Sequence, residues 1–264
     1  MSDVHEIADG IYRISSFDGN YAPVEFSQFL INGEKPLLFH TGSKGLFPQT
    51  LEAVKKVVDP ASLSYISWSH LESDECGALN EFLGVAPKAE PVHGQIGVML
   101  SVADFFDRPV RGLGDNEVLD LGQKKLRFLI TPHVPHAWDA ILVFEETTRT
   151  LFCSDLFTVF GKPQPITESD IIEQSMAALQ NLPGYLPVGP HTGAVFDRLV
   201  ALEPEVLAGH HSSAYNGNAV QALQDLRGEL FKFAGLAVEE VVQGSDEAPS
   251  KGRAVRVAAR RRIT

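Results

Sequence analysis

Four apolar runs in this chain each end on histidines and acids. Residues 63–68 lead into Ser69-His70-Leu71-Glu72-Ser73-Asp74-Glu75, and residues 126–130 into Thr131-Pro132-His133-Val134-Pro135-His136-Ala137-Trp138-Asp139. Residues 150–153 lead into Ser154-Asp155, and residues 205–208 into Gly209-His210-His211. Short apolar runs bounded by turn residues read as buried strands. A single acid or imidazole at a strand end is ordinary. Four such junctions constrain the fold, because a shared metal requires the strands to deliver all four ends to one place. Within the first junction, extended backbone would aim His70, Glu72 and Asp74 to one side while Leu71 and Ser73 face elsewhere. Taken alone, that triplet reads equally well as a polar loop with surface acids.

The remaining patterns supply two similar halves. Short alternating pieces at residues 11–14, 29–31 and 37–39, the last after the Gly33-Glu34-Lys35 turn, predict antiparallel strands. A helix is predicted over residues 49–58, with Leu51, Val54 and Val57 on one face, and helical spacing recurs at 78–83 and 96–106. Strands follow at 118–121, 126–130, 140–144 and 150–153, then helices near 168–182, 192–202 and 218–233. Thr167 is the expected N-cap of the first of these, with Asp170 three residues on. Strands and helices in this order predict two sheets packed face to face with helices on both outer surfaces, formed as one domain by residues 5–236.

Charge excludes some functions. A net charge of −12 and a pI near 5.2 argue against nucleic-acid or anionic-membrane binding, both of which need a basic face. The exception is residues 237–264, where Lys251, Arg253, Arg256, Arg260, Arg261 and Arg262 follow a linker-like stretch and predict a flexible basic tail. Two cysteines build no disulfide framework, and the start MSDVHEIADG lacks the basic and apolar regions of a signal peptide, so a cytoplasmic protein is expected. No apolar run reaches the roughly 20 residues of a membrane span.

The strand-end motifs resemble the metallo-β-lactamase-fold domain of flavodiiron proteins and the related oxygen-binding diiron proteins, over most of residues 5–236. Hydrolytic members of that superfamily carry His-x-His-x-Asp-His, whereas the diiron branch carries His-x-Glu-x-Asp-His; His70, Glu72 and Asp74 follow the second pattern. The branch's His-Trp-Pro-Asp segment is similar to His136-Ala137-Trp138-Asp139, and Asp139, three residues on, favours His136 over His133. Its Asp after a Phe-Ser-x run resembles Asp155. A relative's pattern Ala-Gly-Met-His-Gly-Ser-Ser-Phe aligns its His with His211, its Met with His210 and its Phe with Tyr215.

The resemblance implies an α+β four-layer αββα sandwich with two iron ions. One ion would be held by His70, Glu72 and His136, the other by Asp74 and His211, with Asp155 bridging at the roughly 3.5–4 Å typical of two-metal sites. Glu75 is a departure, standing where the family usually has His; it either takes that coordination place or turns away. His40 stands where this fold usually has Asp, which implies a hydrogen-bonding role. No flavodoxin-like domain follows, so turnover on dioxygen or nitric oxide would need an external electron-donor flavoprotein or a rubredoxin-like protein. A head-to-tail homodimer is a further implication.

Three carboxylates beside three imidazoles favour iron or manganese, although zinc also binds such sets well. Two other readings remain open: a hydrolase in which two zinc ions activate water against an ester or thioester, and a non-catalytic oxygen sensor. Elsewhere the expectations are bland. His5, His93 and His191 read as surface or loop residues, while His133 and His210 are expected near the pocket at most. Cys76 and Cys153 read as packing residues. Trp138, Tyr185 and Tyr215 are expected to pack or to wall a pocket. Gly112-Leu113-Gly114 lacks the third glycine of a dinucleotide fingerprint.

Overall fold

The computed structural model describes residues 2–19, 22–102 and 104–236; the predicted basic tail lies outside them. The N-terminal half begins as an antiparallel meander of β1 (Asp3–Ala8), β2 (Ile11–Ser16), β3 (Phe26–Ile31) and β4 (Leu37–Phe39). Helix α1 (Phe47–Val54) crosses over to β5 (Tyr65–Ser67), which runs parallel to β4. The short α2 (Ser73–Cys76) and α3 (Leu79–Val85) lead to β6 (Glu90–Gly94). The turn α4 (Gln95–Gly97) and a π-helical stretch, Val98–Val102, lead to β7 (Arg111–Leu113), giving the seven-stranded order β1 to β7.

The C-terminal half repeats the plan. Strands β8 (Val118–Asp120), β9 (Lys125–Ile130), β10 (Ile141–Glu145) and β11 (Thr150–Ser154) form the meander. After β12 (Ile166–Thr167), α5 (Ile172–Leu179) and α6 (Thr192–Ala201), strand β13 (Val206–Gly209) lies parallel to β11. Strand β14 (Ala214–Tyr215) and α7 (Ala219–Phe233) complete a second seven-stranded sheet.

Period-two burial explains the layers. Ile141 and Val143 of β10 face the other sheet in one cluster with Phe29 and Phe39, while Leu142 and Phe144 face α6 and α7. On the other sheet Ile14, Leu30, Leu38 and Ile66 pack under Val54, Leu79 and Phe82. The rings of Phe29 and Phe39 lie 5.3 and 5.4 Å from Phe152, tying the two sheets together. Three apolar layers between four structural layers are the αββα sandwich the sequence predicted.

Two expectations change. The predicted helix 168–182 begins only at Ile172, because Thr167 pairs with Tyr215 in the sheet. Asp170 supplies the start, accepting from the Ile172 amide at 2.8 Å. Residues 96–106 do not form one helix: the π-helical stretch ends at Val102, and Met99, Leu100 and Phe105 are exposed. Among the described residues no helix is long and apolar enough to cross a membrane.

Strands β4, β5, β9, β11 and β13 end at one rim where the two sheets meet. Across this rim the Ile141 amide donates to Ser69 O at 2.8 Å, and the Ser27 amide donates to His210 O at 2.9 Å. The polar loops are therefore pinned by backbone bonds between sheets.

Candidate metal centre

The segment after β5 does not stay extended. The Glu72 amide donates to His70 O at 3.0 Å, bending the chain at Leu71, and α2 begins at Ser73. This corrects the expectation of three alternating side chains: Asp74 and Glu75 arrive on a helical turn, which lets two consecutive acids enter the same site. Glu75, crowded against the motif in the sequence, is fully buried, while the Glu72 side chain is 46% exposed. Loop 131–140 brings His136 beside Glu72, β11 ends one residue before Asp155, and β13 ends at Gly209. A Cβ at Gly209 would lie 2.1 Å from Ser212 Oγ, so glycine permits the tight turn that carries His210 and His211.

These side chains converge in three overlapping groups: His70 with Glu72 and His136; His70 with Glu75 and Asp155; and Asp74 with Glu75, His210 and His211. His136 Nε2 lies 3.2 Å from Glu72 Oε1 and 3.1 Å from Asp155 Oδ2. His70 Nε2 lies 3.5 Å from the same Asp155 Oδ2. The other Asp155 oxygen, Oδ1, lies 3.5 Å from His211 Nε2, which is itself 3.4 Å from Asp74 Oδ2. Asp155 thus presents one oxygen to each half of the cluster. Glu75 belongs to two of the three groups.

Each imidazole is oriented through Nδ1. His136 Nδ1 donates to Tyr185 O at 2.9 Å, His211 Nδ1 to Glu25 O at 2.9 Å and His210 Nδ1 to Ser27 O at 2.6 Å. His70 Nδ1 lies 2.9 Å from Ser69 Oγ. Their Nε2 atoms face the acids, the arrangement by which outlying hydrogen bonds aim metal-ligating imidazoles. Arg13 and Glu25, both buried, form an ion pair behind His211, and Arg13 also donates to Ser212 O at 3.0 Å.

The electrostatics call for a cation. His136 and His70 hold the Glu72 carboxyl down at about 2. Burial pushes Asp74 up, but His210 and His211 outweigh it and hold this carboxyl well below the usual range. Burial, followed by the charges of Asp155, Asp74 and Glu72, drives Glu75 the other way, well above the usual range. Burial pulls His136 and His211 down, yet the neighbouring acids raise both overall. His210 is lowered, first by burial and then by His211.

His70 Nε2, both Glu75 oxygens, Asp155 Oδ1 and His210 Nε2 are buried with no hydrogen-bond partner. Five orphaned atoms facing one another are costly in a dry protein interior and find their explanation in bound metal. The donor set of carboxylate oxygens and imidazole nitrogens fits two iron ions and accommodates zinc or manganese.

The remaining candidates separate clearly. His40, fully buried at the end of β4 with φ 64°, has Nδ1 2.9 Å from His210 Nδ1 and Nε2 3.0 Å from Ser69 Oγ, so it braces the cluster through hydrogen bonds. Burial first, then His210 and His70, keep its imidazole well below the usual range and hence neutral. His133 is exposed and joins none of the three groups. Tyr215 sits in the apolar layer between the second sheet and its helices.

His93 is a correction: it is fully buried, stacked 4.7 Å from Trp68, with Nδ1 donating to Trp68 O at 3.1 Å and Nε2 3.6 Å from Asp139. Asp139 also accepts from the Leu71 amide at 3.2 Å, coupling the His136 loop to the His70 loop. Cys76 and Cys153 pack as expected, and burial pushes the Cys76 thiol up to about 12. Trp138 is 42% exposed. Tyr185, by contrast, lines an open pocket of about 400 Å³ with Glu72, His136, Leu182, Pro183 and Gly184.

Sequence reasoning did not find the carbonyls of Glu25, Ser27 and Tyr185 that orient the imidazoles. Backbone acceptors leave no side-chain signature. Ser69 is similarly silent, yet its hydroxyl lies within 3.0 Å of both His40 and His70 and accepts from Ser154 Oγ at 2.7 Å.

Comparison with known proteins agrees with this architecture. The flavo-diiron protein FprA2 of Clostridium acetobutylicum is 27% identical over 193 residues, covering 70% of this chain and 48% of the relative. The anaerobic nitric oxide reductase flavorubredoxin of Salmonella arizonae is 24% identical over 164 residues, covering 59% of this chain and 34% of the relative. The chain thus spans about half or less of the length of these curated relatives. The solved rubredoxin oxygen:oxidoreductase of Desulfovibrio gigas superposes with a TM-score of 0.77 at 21% identity, covering 85% of this chain and 61% of that one, which shows the shared fold. Residues 24–212, from just before β3 to just past the paired histidines, match the ODP family beta lactamase description, and the chain belongs to that family.

Proposed function

We propose that residues 5–236 form a dinuclear non-haem iron unit that binds or reduces dioxygen or nitric oxide with electrons from an external donor. The observation that carries this reading is the carboxylate-rich cluster divided by Asp155, whose two oxygens face opposite halves. His70, Glu72 and His136 would hold one iron, Asp74 and His211 the other, with Asp155 between them. Glu75, inside both halves, is assigned as a further ligand. An iron pair bound there would supply one-electron chemistry toward a small diatomic gas. The relatives named flavo-diiron protein, nitric oxide reductase and rubredoxin oxygen:oxidoreductase support the same choice.

The chain's own residues prepare that chemistry. The Nδ1 contacts fix the imidazoles before any metal arrives, which lowers the ordering cost of assembly. Glu72, half-exposed, and His136 line the pocket and stand between it and the buried cluster. Tyr185 is kept protonated by burial and then by Asp155; its hydroxyl lies 3.1 Å from Thr158 Oγ1, which donates to Asp155 O at 2.8 Å. Its ring sits 4.8 Å from that of His136 and shields one side of the site. A separate flavoprotein or rubredoxin-like donor, a cytoplasmic setting and a head-to-tail homodimer belong to the same proposal.

The test is anaerobic reconstitution with iron in zinc-poor buffer. Two irons per chain and a visible charge-transfer band bleached by reductant are expected. Two tightly held zinc ions with oxygen-independent esterase activity would overturn the reading in favour of a hydrolase. Reduced protein that consumes oxygen once, and that no donor restores, would restrict the function to binding.

A further inference from the structure

His210 and His211 are adjacent, yet both point the same ring nitrogen at the same acid. His210 Nε2 lies 3.6 Å from Asp74 Oδ2, and His211 Nε2 lies 3.4 Å from it. The cause is a matched pair of carbonyls on the facing sheet. Glu25 and Ser27 stand two residues apart at the start of β3; Glu25 O accepts from His211 Nδ1 and Ser27 O from His210 Nδ1. A carbonyl only accepts, so each imidazole carries a proton on Nδ1, and in the neutral ring Nε2 bears a bare lone pair.

His210 is held even more firmly than its neighbour. Its amide donates to Ser154 O at 2.7 Å, its carbonyl accepts from the Ser27 amide at 2.9 Å, and His40 lies 2.9 Å from Nδ1. Nothing occupies the other nitrogen: Nε2 is fully buried and has no hydrogen-bond partner. Its separations from Asp74 and from Glu75 Oε1, 3.6 and 3.7 Å, are too long for direct hydrogen bonds. They suit ligands of one ion, since atoms each about 2.0–2.2 Å from a common metal lie roughly 3–3.5 Å apart and close up slightly when it binds.

We propose that His210 is a ligand of the second metal, which is therefore gripped by two consecutive histidines, His210 and His211, together with Asp74. This rests on the dinuclear reading above and adds a ligand to it. His40 then becomes a positioning residue: its Nδ1 lies 2.9 Å from His210 Nδ1 and its Nε2 3.0 Å from Ser69 Oγ, whose neighbour at 2.9 Å is His70 Nδ1. The two halves of the centre are joined behind their ligands by the run His210, His40, Ser69, His70. Position 75, left without an imidazole, places a carboxylate between the halves.

X-ray absorption of iron-loaded full-length protein counts imidazoles directly. His70, His136, His210 and His211 would give an average of two imidazoles per iron, against one and a half if His210 stays out. His210→Met should retain the first ion and bind the second at least tenfold more weakly in a metal titration read by elemental analysis. Glu75 Oε1 lies within 3.7 Å of His210 Nε2, so an imidazole from position 75 can reach the same space. The double variant Glu75→His with His210→Met should therefore recover the second ion, which also distinguishes ligand loss from misfolding.

A wild-type average of one and a half imidazoles, or a His210→Met protein with two ions at unchanged affinity, overturns the assignment and leaves the dinuclear reading standing. Wild-type protein that binds fewer than two ions under every loading condition overturns both.

Discussion

Glu75→Gln should move stability in opposite directions in metal-free and metal-loaded protein. Glu75 has no exposed surface, neither oxygen has a hydrogen-bond partner, and the charges of Asp155, Asp74 and Glu72 reinforce the effect of burial in raising its carboxyl. A carboxyl raised on folding keeps a proton that the unfolded chain loses above about pH 4.3. Stability of the metal-free protein therefore falls as pH rises from that point to the folded-state value, and the deficit is complete above it. Glutamine fills nearly the same volume and cannot ionise.

Both side chains leave buried polar atoms unpaired, so that penalty largely cancels and the charge penalty remains. A gain of about 1–3 kcal/mol is expected for the metal-free variant near pH 8, or roughly 2–10 °C in Tm for a chain of this size. Near pH 4 the gain should vanish. With iron bound, losing one negative ligand shared by both halves should weaken the second ion and reduce the stabilisation that metal adds. Scanning calorimetry of chelator-stripped and iron-loaded protein at both pH values provides the measurement. A metal-free variant with no pH-dependent gain would refute the charge argument, and unchanged iron affinity would show that Glu75 is a bystander.

Other substitutions probe the rest of the centre. Asp155→Asn removes one oxygen's charge from between the halves and should leave no more than one tightly held ion, as read by elemental analysis. Glu72→His replaces a hard oxygen ligand with imidazole and should shift competitive loading from iron toward zinc by an order of magnitude or more. Arg13→Ala abandons the buried Glu25 carboxylate behind His211 and should cost about 3–5 kcal/mol in denaturant unfolding; Glu25→Gln in the same chain should recover part of that loss.

The internal resemblance of the two sheets has a consequence for the site. Each half supplies an antiparallel meander followed by a parallel strand, and each sheet delivers its strand ends to the common rim. Ligands from β5 and α2 on one side meet ligands from β9, β11 and β13 on the other. Separating the sheets would therefore disassemble the centre, which ties metal binding to the integrity of the inter-sheet layer around Phe29, Phe39 and Phe152. Five non-glycine residues near the ligands, His40, His133, Ala137, Ser154 and Phe157, hold positive φ angles between 50° and 64°. Conformations of that kind cost about 1–3 kcal/mol each and persist where the surrounding structure over-determines them.

Much of this architecture is local chemistry and so was legible in one dimension. β10 and β11 are buried throughout, as their continuous apolar runs imply, with successive side chains on opposite faces; Asn218 caps α7 by accepting from the Gln221 amide, and each ligand loop follows an apolar run. Acids and imidazoles at four strand ends pointed to a shared metal, and the family resemblance then singled out His70, Glu72, Asp74, His136, Asp155 and His211 as its expected ligands.

The orientation of those side chains was decided elsewhere. Asp74 and Glu75 share the site because the chain turns helical at Ser73, a choice settled by packing of Cys76 and Leu79 under the first sheet. His93 is buried against Trp68, although its own neighbours in the sequence do not reveal it. Most clearly, His210 and His211 face the same acid because carbonyls 183 and 186 residues away hold their Nδ1 atoms. Local sequence sets which groups are available and how the backbone can bend. Which lone pair is left bare depends on acceptors brought by the opposite sheet, and only the packed structure places them.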